Sequence, residues 1–287
     1  MASRRGGPPP NAAQIDFWNA NAGQTWAKFQ PLLDQQLGPL GEEALRVLAP
    51  GSAETILDIG CGCGDSTLAL AAQVGPAGRV VGVDISRPML EVARQRRPPP
   101  AAGKVEFRQI DAQSGELGRA RFDSAFSRFG VMFFGDPVAA FTNLRCALKP
   151  GGRLTFVCWR SLQENPWMLA PLEAALPFLP PVTPIDPLAP GPFAFADFQR
   201  VRRVLVDAAF ERVTIMSFDT EIGGADLEQT RRLSFRVGPL AAALREHPDY
   251  ADRVAEPVER ALRQFETAGR VMMPASVWIA SAERSLS

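Results

Sequence analysis

Apolar residues arrive along this chain in two rhythms, short continuous runs and longer stretches spaced by three and four, and the two alternate. The run Ile56-Leu57-Asp58-Ile59 reads as a buried strand, and glycines follow at alternate positions, Gly60, Gly62 and Gly64. Without a Cβ, such a segment turns through positive φ and lets backbone approach a ligand. Leu68, Leu70, Ala71 and Val74 mark the next helix, with Asp65 or Ser66 as its cap and Gly75 as its stop. A second apolar run, Arg79 to Val83, ends in Asp84. Strand, glycine loop, helix, strand and acid form the mononucleotide-binding half of a doubly wound sheet.

The alternation continues downstream. A helix starts at Ser86 with Pro88 in its first turn, keeps Met89, Leu90 and Val92 on its apolar face, and stops at Pro98-Pro99-Pro100. Arg94, Arg96 and Arg97 crowd its last turn and read as a helix-end feature. Val105 to Ile110 predicts a third strand with Asp111 just past it, and Phe122 to Ser127 a fourth. Asp136-Pro137 opens a helix carrying Val138, Phe141, Leu144 and Leu148, and Arg153 to Cys158 makes a fifth strand. Residues 159–199 are rich in proline and aromatics. A helix from Phe198 to Ala209, a strand over Arg212–Phe218, helical periodicity over 226–246 and 251–268, and a strand over Ser276–Ala280 complete the chain. Upstream, residues 11–49 carry two helical patterns broken by Pro31, Gly38, Pro39 and Gly41. These helices either cover a sheet edge or form a lid, with Trp18 or Trp26 facing a bound cation.

Asp65 decides which nucleotide the loop suits. It stands where the dinucleotide fingerprint has its third glycine, and a carboxylate there repels a pyrophosphate. The spacing suits a nucleoside without phosphates. Asp84, at 84 − 64 = 20 residues past the last glycine, can accept both ribose hydroxyls. Lys+Arg and Asp+Glu both number 31, which argues against a nucleic-acid partner. Four cysteines in 287 residues make no disulfide framework, and a reducing cytoplasm is the expectation. Cys61 and Cys63 have no second Cys/His cluster to complete a zinc site, so they read as packing beneath the loop, and no metal is expected. No apolar run reaches membrane-spanning length, and residues 1–10 read as a disordered tail rather than a secretion signal. His247 and Tyr250 are the only residues of their kinds, and Arg128 and Arg236 read as salt-bridge partners before substrate ligands. The catalytic residue stays unknown.

Four segments together carry a family resemblance: Leu57-Asp58-Ile59-Gly60-Cys61-Gly62-Cys63-Gly64, Val83-Asp84-Ile85-Ser86, Arg108-Gln109-Ile110-Asp111-Ala112 and Leu148-Lys149-Pro150-Gly151-Gly152-Arg153-Leu154. In this order they resemble the class I S-adenosylmethionine-dependent methyltransferases, small-molecule type, near the quinone-biosynthesis group. The tyrosine-rich N-terminal signature of the quinone enzymes is missing, so a quinone substrate is not implied. The resemblance implies an α/β Rossmann-like sheet of seven mostly parallel strands, the last antiparallel, with added N-terminal and C-terminal-half helices. It implies a helical lid over 11–49, a cofactor-binding core over 50–160, and the rest of the sheet with acceptor-pocket helices over 161–287. The cofactor implied is S-adenosyl-L-methionine, leaving as S-adenosyl-L-homocysteine. The candidate binding residues are Trp18, Trp26, Asp58, Gly60, Gly62, Gly64, Asp84, Ile85, Met89, Asp111, Ala112 and Ser127. Asp111 would meet the adenine amine and the Ala112 N–H a ring nitrogen. The exit Arg128–Phe134 would lie beside the transferring methyl. The expected reaction is methyl transfer to a small, largely apolar acceptor by positioning, in a monomer or homodimer. The rivals are a catalytically silent cofactor-binding protein and a nicotinamide-dependent oxidoreductase.

Overall fold

The computed structural model describes residues 11–181 and 186–286; the tail expected over 1–10 lies outside them. The chain begins with three helices, α1 (Ala12–Asn19), α2 (Asn21–Lys28) and α3 (Gln30–Leu48). The sheet core follows as β1 (Thr55–Ile59), α4 (Asp65–Val74), β2 (Arg79–Asp84), α5 (Arg87–Gln95), β3 (Lys104–Gln109), β4 (Phe122–Arg128), α6 (Pro137–Ala147) and β5 (Leu148–Trp159). The remainder is α7 (Pro166–Ala175), α8 (Phe198–Asp207), β6 (Phe210–Gly223), α9 (Leu227–Ser234), α10 (Pro239–Glu246), α11 (Ala251–Arg263), β7 (Glu266–Thr267) and β8 (Arg270–Arg284).

The strands lie in the order β3-β2-β1-β4-β5-β8-β6, with the two-residue β7 pairing only the start of β8. β1 to β5 pair in parallel, and β8 runs antiparallel to β5 and β6. β1 is buried from Ile56 to Ile59, which is why its apolar run does not alternate. Chain order reverses between β1 and β4, so their carboxyl ends open the crevice where doubly wound sheets bind ligands. Phe126, Phe141, Phe156 and Phe195 fill the main core. A smaller core holds Leu240, Leu244, Val254, Val258 and Met273, between the C-terminal-half helices and β8.

Three expectations need correcting. Residues 11–49 make three helices, and α3 runs unbroken through Gly38, Pro39 and Gly41. An interior proline costs about 3 kcal/mol. Burial of Leu33, Leu37, Leu40, Leu45 and Leu48 on one face, at about 1.5–3 kcal/mol each, outweighs it. The stretch 226–246 is two helices separated at Gly238-Pro239, and the one over 251–268 ends at Arg263, ahead of β7. Neither Asp65 nor Ser66 caps α4: Gly64 holds that position in the left-handed region, and both side chains are engaged elsewhere.

Candidate cofactor site

The loop after β1 turns on Gly60, Gly62 and Gly64, at φ of 64°, 53° and 87°. A Cβ on Gly60 would stand 2.7 Å from Gly130 Cα, so the exits of β1 and β4 touch backbone to backbone. A Cβ on Gly62 would meet only Met89 Sδ at 3.8 Å, leaving bare backbone beside open space. The N–H groups of Gly60 and Cys61 both donate to Val83 O, which fastens the loop to β2.

Asp84 ends β2 against this loop. Its Oδ2 accepts from the Gly62 N–H and its Oδ1 from the Ser86 N–H, each at 2.8 Å. Burial raises its carboxyl above the ordinary range, and the N–H groups of Ser86, Gly62 and Ile85 partly offset this. Asp58 is fully buried beneath the loop. Its Oδ2 accepts from Ser66 Oγ at 2.7 Å and Thr67 Oγ1 at 2.6 Å, while Oδ1 has no partner among the described residues. Burial pushes this carboxyl up to about 6, against the pull of the two hydroxyls and of the Arg128 charge.

Asp111 makes the Asx turn that its loop position allows, accepting from the Gln113 N–H at 3.0 Å and Ser114 Oγ at 2.8 Å. Asn11 Nδ2 reaches the same carboxylate at 3.3 Å, bringing the start of α1 onto it. The Ala112 N–H meets no acceptor among the described residues. Ser127 is fully buried; it donates to Ile59 O at 2.8 Å and accepts from the Gly130 N–H at 3.2 Å. Its hydroxyl therefore ties the two strand exits together and does not line the crevice. Cys61 is buried beside Gly82, which fits packing under the loop. Burial raises its thiol well above the usual range and pushes Cys63 up to about 12. Among the described residues no group of histidine, cysteine and acids is arranged for a metal.

The N-terminal helices dock on the turn between β2 and α5. Ser86 Oγ donates to Trp18 O at 2.8 Å, Asn19 Nδ2 donates to Ile85 O at 2.9 Å, and Asn19 Oδ1 accepts from the Arg87 N–H at 2.9 Å. A Cβ on Gly23 would lie 2.4 Å from Ser86 Oγ, so only glycine admits this docking. Trp18 packs edge-on against Trp26 and Phe133, with centroids 5.8 and 4.9 Å apart. Asn19, Gly23 and Ser86 carried no sequence signal for this; their partners lie tens of residues away. Phe129, at the β4 exit, has φ of 63°, costly for a bulky residue, and stacks on Trp159 at 4.1 Å. Trp159 in turn packs on Trp167, 5.1 Å away.

Comparison with known proteins bears on the family and the fold. Residues 56–152 match the family described as methyltransferase domain. The demethylmenaquinone methyltransferase of Lactiplantibacillus plantarum is 30% identical over 180 residues, covering 57% of this chain and 73% of the relative. The aklanonic acid methyltransferase DauC of Streptomyces sp. (strain C5) is 32% identical over 152 residues, 53% of this chain and 64% of its own. Against some other curated relatives the chain spans about half their length or less. Among solved structures, YcgJ of Bacillus subtilis superposes with a TM-score of 0.56 at 16% identity, covering 87% of this chain and 97% of that one. The [4+2]-cyclase SpnF gives 0.53 at 19% identity, with 98% of each chain covered. The chain belongs to the S-adenosylmethionine-dependent methyltransferase family. Among its described residues no helix is long and apolar enough to cross a membrane.

Proposed function

We propose that this protein transfers a methyl group from S-adenosylmethionine to a small, largely apolar acceptor. The observation that carries the reading is the grip of Asp84 on the Gly62 N–H beside an open glycine loop at the sheet's switch point. When bound, the cofactor supplies a methyl group already activated on a sulfonium. Each Asp84 oxygen keeps a lone pair beyond its backbone bond, and these accept the ribose hydroxyls. The unpartnered Asp58 Oδ1 suits the amino-acid ammonium of the cofactor. Asp111 and the Ala112 N–H receive the adenine edge. Met89, and the aromatic group of Trp18, Trp26 and Phe133, wall the site and exclude water. Holding a nucleophile in line can contribute about 7–11 kcal/mol, so positioning suffices where the acceptor arrives ionised.

A dinucleotide is a poorer fit, for a reason that differs from the one read in the sequence. Asp65 is neutralised by two arginines, so its charge alone does not repel a pyrophosphate. The family membership and the lone Asp58 oxygen favour the thioether nucleoside. The four free cysteines suit a reducing cytoplasm.

Isothermal titration with S-adenosylmethionine, S-adenosylhomocysteine and NAD tests the cofactor. The first two should bind and NAD should not; tighter binding of NAD overturns the reading. Methyl-donor turnover on a metabolite panel separates an enzyme from a silent binder.

A further inference from the structure

Between the end of α2 and α9 lies a cavity of about 420 Å³. It is lined by Thr25, Lys28 and Phe29 at the end of α2, and by Arg231, Arg232, Phe235 and Arg236 in and after α9. Four of these seven residues are cations and none is an acid, in a chain whose charges balance at 31 and 31.

The cations are unequally engaged. Arg231 is paired with Glu228 at 2.7 Å, and its buried Nε has no hydrogen-bond acceptor, with Glu259 at 3.8 Å. Lys28, Arg232 and Arg236 have no carboxylate partner among the described residues. That corrects the expectation for Arg236, which forms no salt bridge there. Phe29 and Phe235 supply the aromatic part of the lining, and the Arg231 guanidinium lies 5.9 Å from the Phe235 ring centroid.

α9 and the turn after it form a partition. Thr230, Leu233, Ser234 and Val237, at helical spacing, face a narrow apolar slot shared with Trp167 and Met168. The next positions round the helix, Arg231, Arg232, Phe235 and Arg236, face the basic cavity. Trp167 also ends the aromatic series that starts at Phe129 on the β4 exit.

We infer that this cavity binds an aromatic carboxylate, its acid end on the arginines and its apolar body against Phe29 and Phe235. The inference goes beyond the methyltransferase reading. Guanidinium groups take a carboxylate in forked, charge-assisted hydrogen bonds, while flat rings take the aromatic body. A solvated basic surface would need no concavity of this size.

The test uses the full chain saturated with S-adenosylhomocysteine, titrated with 2-naphthoate and with its uncharged counterpart 2-naphthamide. Naphthoate should bind at least about tenfold more tightly. The double variant R232Q/R236Q should erase that preference and leave naphthamide and S-adenosylhomocysteine binding unchanged. Both positions are exposed and glutamine keeps helix propensity, so the variant should fold; Lys28→Gln provides an independent arm. Equal binding of the two probes, or a preference that survives the variants, overturns the inference. So does a single-stranded DNA 12-mer that displaces naphthoate at lower concentration, since that marks an open polyanion surface. Loss of S-adenosylhomocysteine binding by the parent chain is the separate result that would bring down the methyltransferase reading itself.

Discussion

Arg128 Nη1 donates to Asp65 Oδ2 at 2.8 Å, joining the exit of β4 to the first residue of α4 across the mouth of the crevice. The same guanidinium reaches Asp34 Oδ1 at 3.3 Å. Arg96 binds the same two carboxylates, at 2.9 Å for Asp34 and 3.1 Å for Asp65, and also the Cys63 carbonyl. Two arginines and two aspartates thus close a ring through α3, α4, α5 and β4, clasping the glycine loop from outside. The arrangement adds a charged link between α3 and the glycine loop to the apolar packing of α3 on the sheet.

Removing Arg128 should therefore act on both parts. Its side chain is 14% exposed and that of Asp34 17%, so solvent only partly screens the pairs. Arg128→Ala leaves Asp65 with Arg96 alone and Asp34 with Arg96 and the Gln30 amide, and should cost about 1–3 kcal/mol. Arg128→Lys keeps the charge but not the fork, and should fall between. Denaturant titration with and without S-adenosylhomocysteine measures both effects. An Arg128→Ala chain as stable as the parent would mean that the ring contributes nothing.

Gly41 sits under this arginine. An alanine Cβ there would lie 2.9 Å from Arg128 Cδ, in the middle of a side chain whose far end is pinned by two carboxylates. In an ordinary helix interior, Gly→Ala gains about 0.5–1 kcal/mol. Here Gly41→Ala should destabilise the parent chain. In the Arg128→Ala background the same substitution should stabilise. A double-mutant cycle reads the change of sign directly; two effects of the same sign would separate Gly41 from Arg128.

Which parts of this were readable beforehand follows from how far each signal travels along the chain. Gly60, Gly62, Gly64 and Asp84 announce themselves because positive φ and apolar runs are local properties. The ring is invisible in one dimension: Arg128 and Asp34 lie 94 residues apart and Arg96 and Asp65 lie 31 apart. On local grounds, therefore, Asp65 reads as a free charge and Arg96 as a helix-end cation. Pro39 and Gly41 are breakers on the same local grounds, while the buried leucine face that keeps α3 whole is a tertiary property. Ser127 is a candidate from its place at the end of the fourth predicted strand, yet it spends its hydroxyl on two strand exits, which the packing of Gly130 against Gly60 brings together.

Asp84 serves the fold as well as the proposed ligand. Asp84→Ala strips the acceptor from two backbone N–H groups beside a buried carboxylate, so a lower melting temperature should accompany a loss of cofactor affinity well over tenfold. Asp84→Asn keeps one carbonyl acceptor and should recover part of the stability with little of the affinity. Calorimetry on both variants provides the comparison. If the alanine variant binds S-adenosylhomocysteine like the parent, Asp84 is a structural acid only.

Asp58 gives stability and ligand binding opposite dependences on pH. Its folded carboxyl titrates at about 6, above the ordinary 3.8, so between those values the folded chain holds a proton that the unfolded chain has lost. Stability rises with pH only where the unfolded state binds more protons, so Asp58 makes the ligand-free fold weaker as pH climbs from about 4 through 6. An ammonium, by contrast, pairs only with the ionised carboxylate, so cofactor affinity should fall by up to about tenfold for each pH unit below 6. Asp58→Asn should remove Asp58's share of both trends, leaving only what Asp84, whose carboxyl is also raised by burial, contributes. The ligand-free melting temperature should fall less steeply from about pH 4 to 6, and the affinity for S-adenosylhomocysteine should be weaker and less dependent on pH. Melting curves from about pH 4 to 7.5, with and without that ligand, report the two trends side by side. A ligand-induced shift with the same pH profile in parent and variant would place the cofactor's ammonium elsewhere.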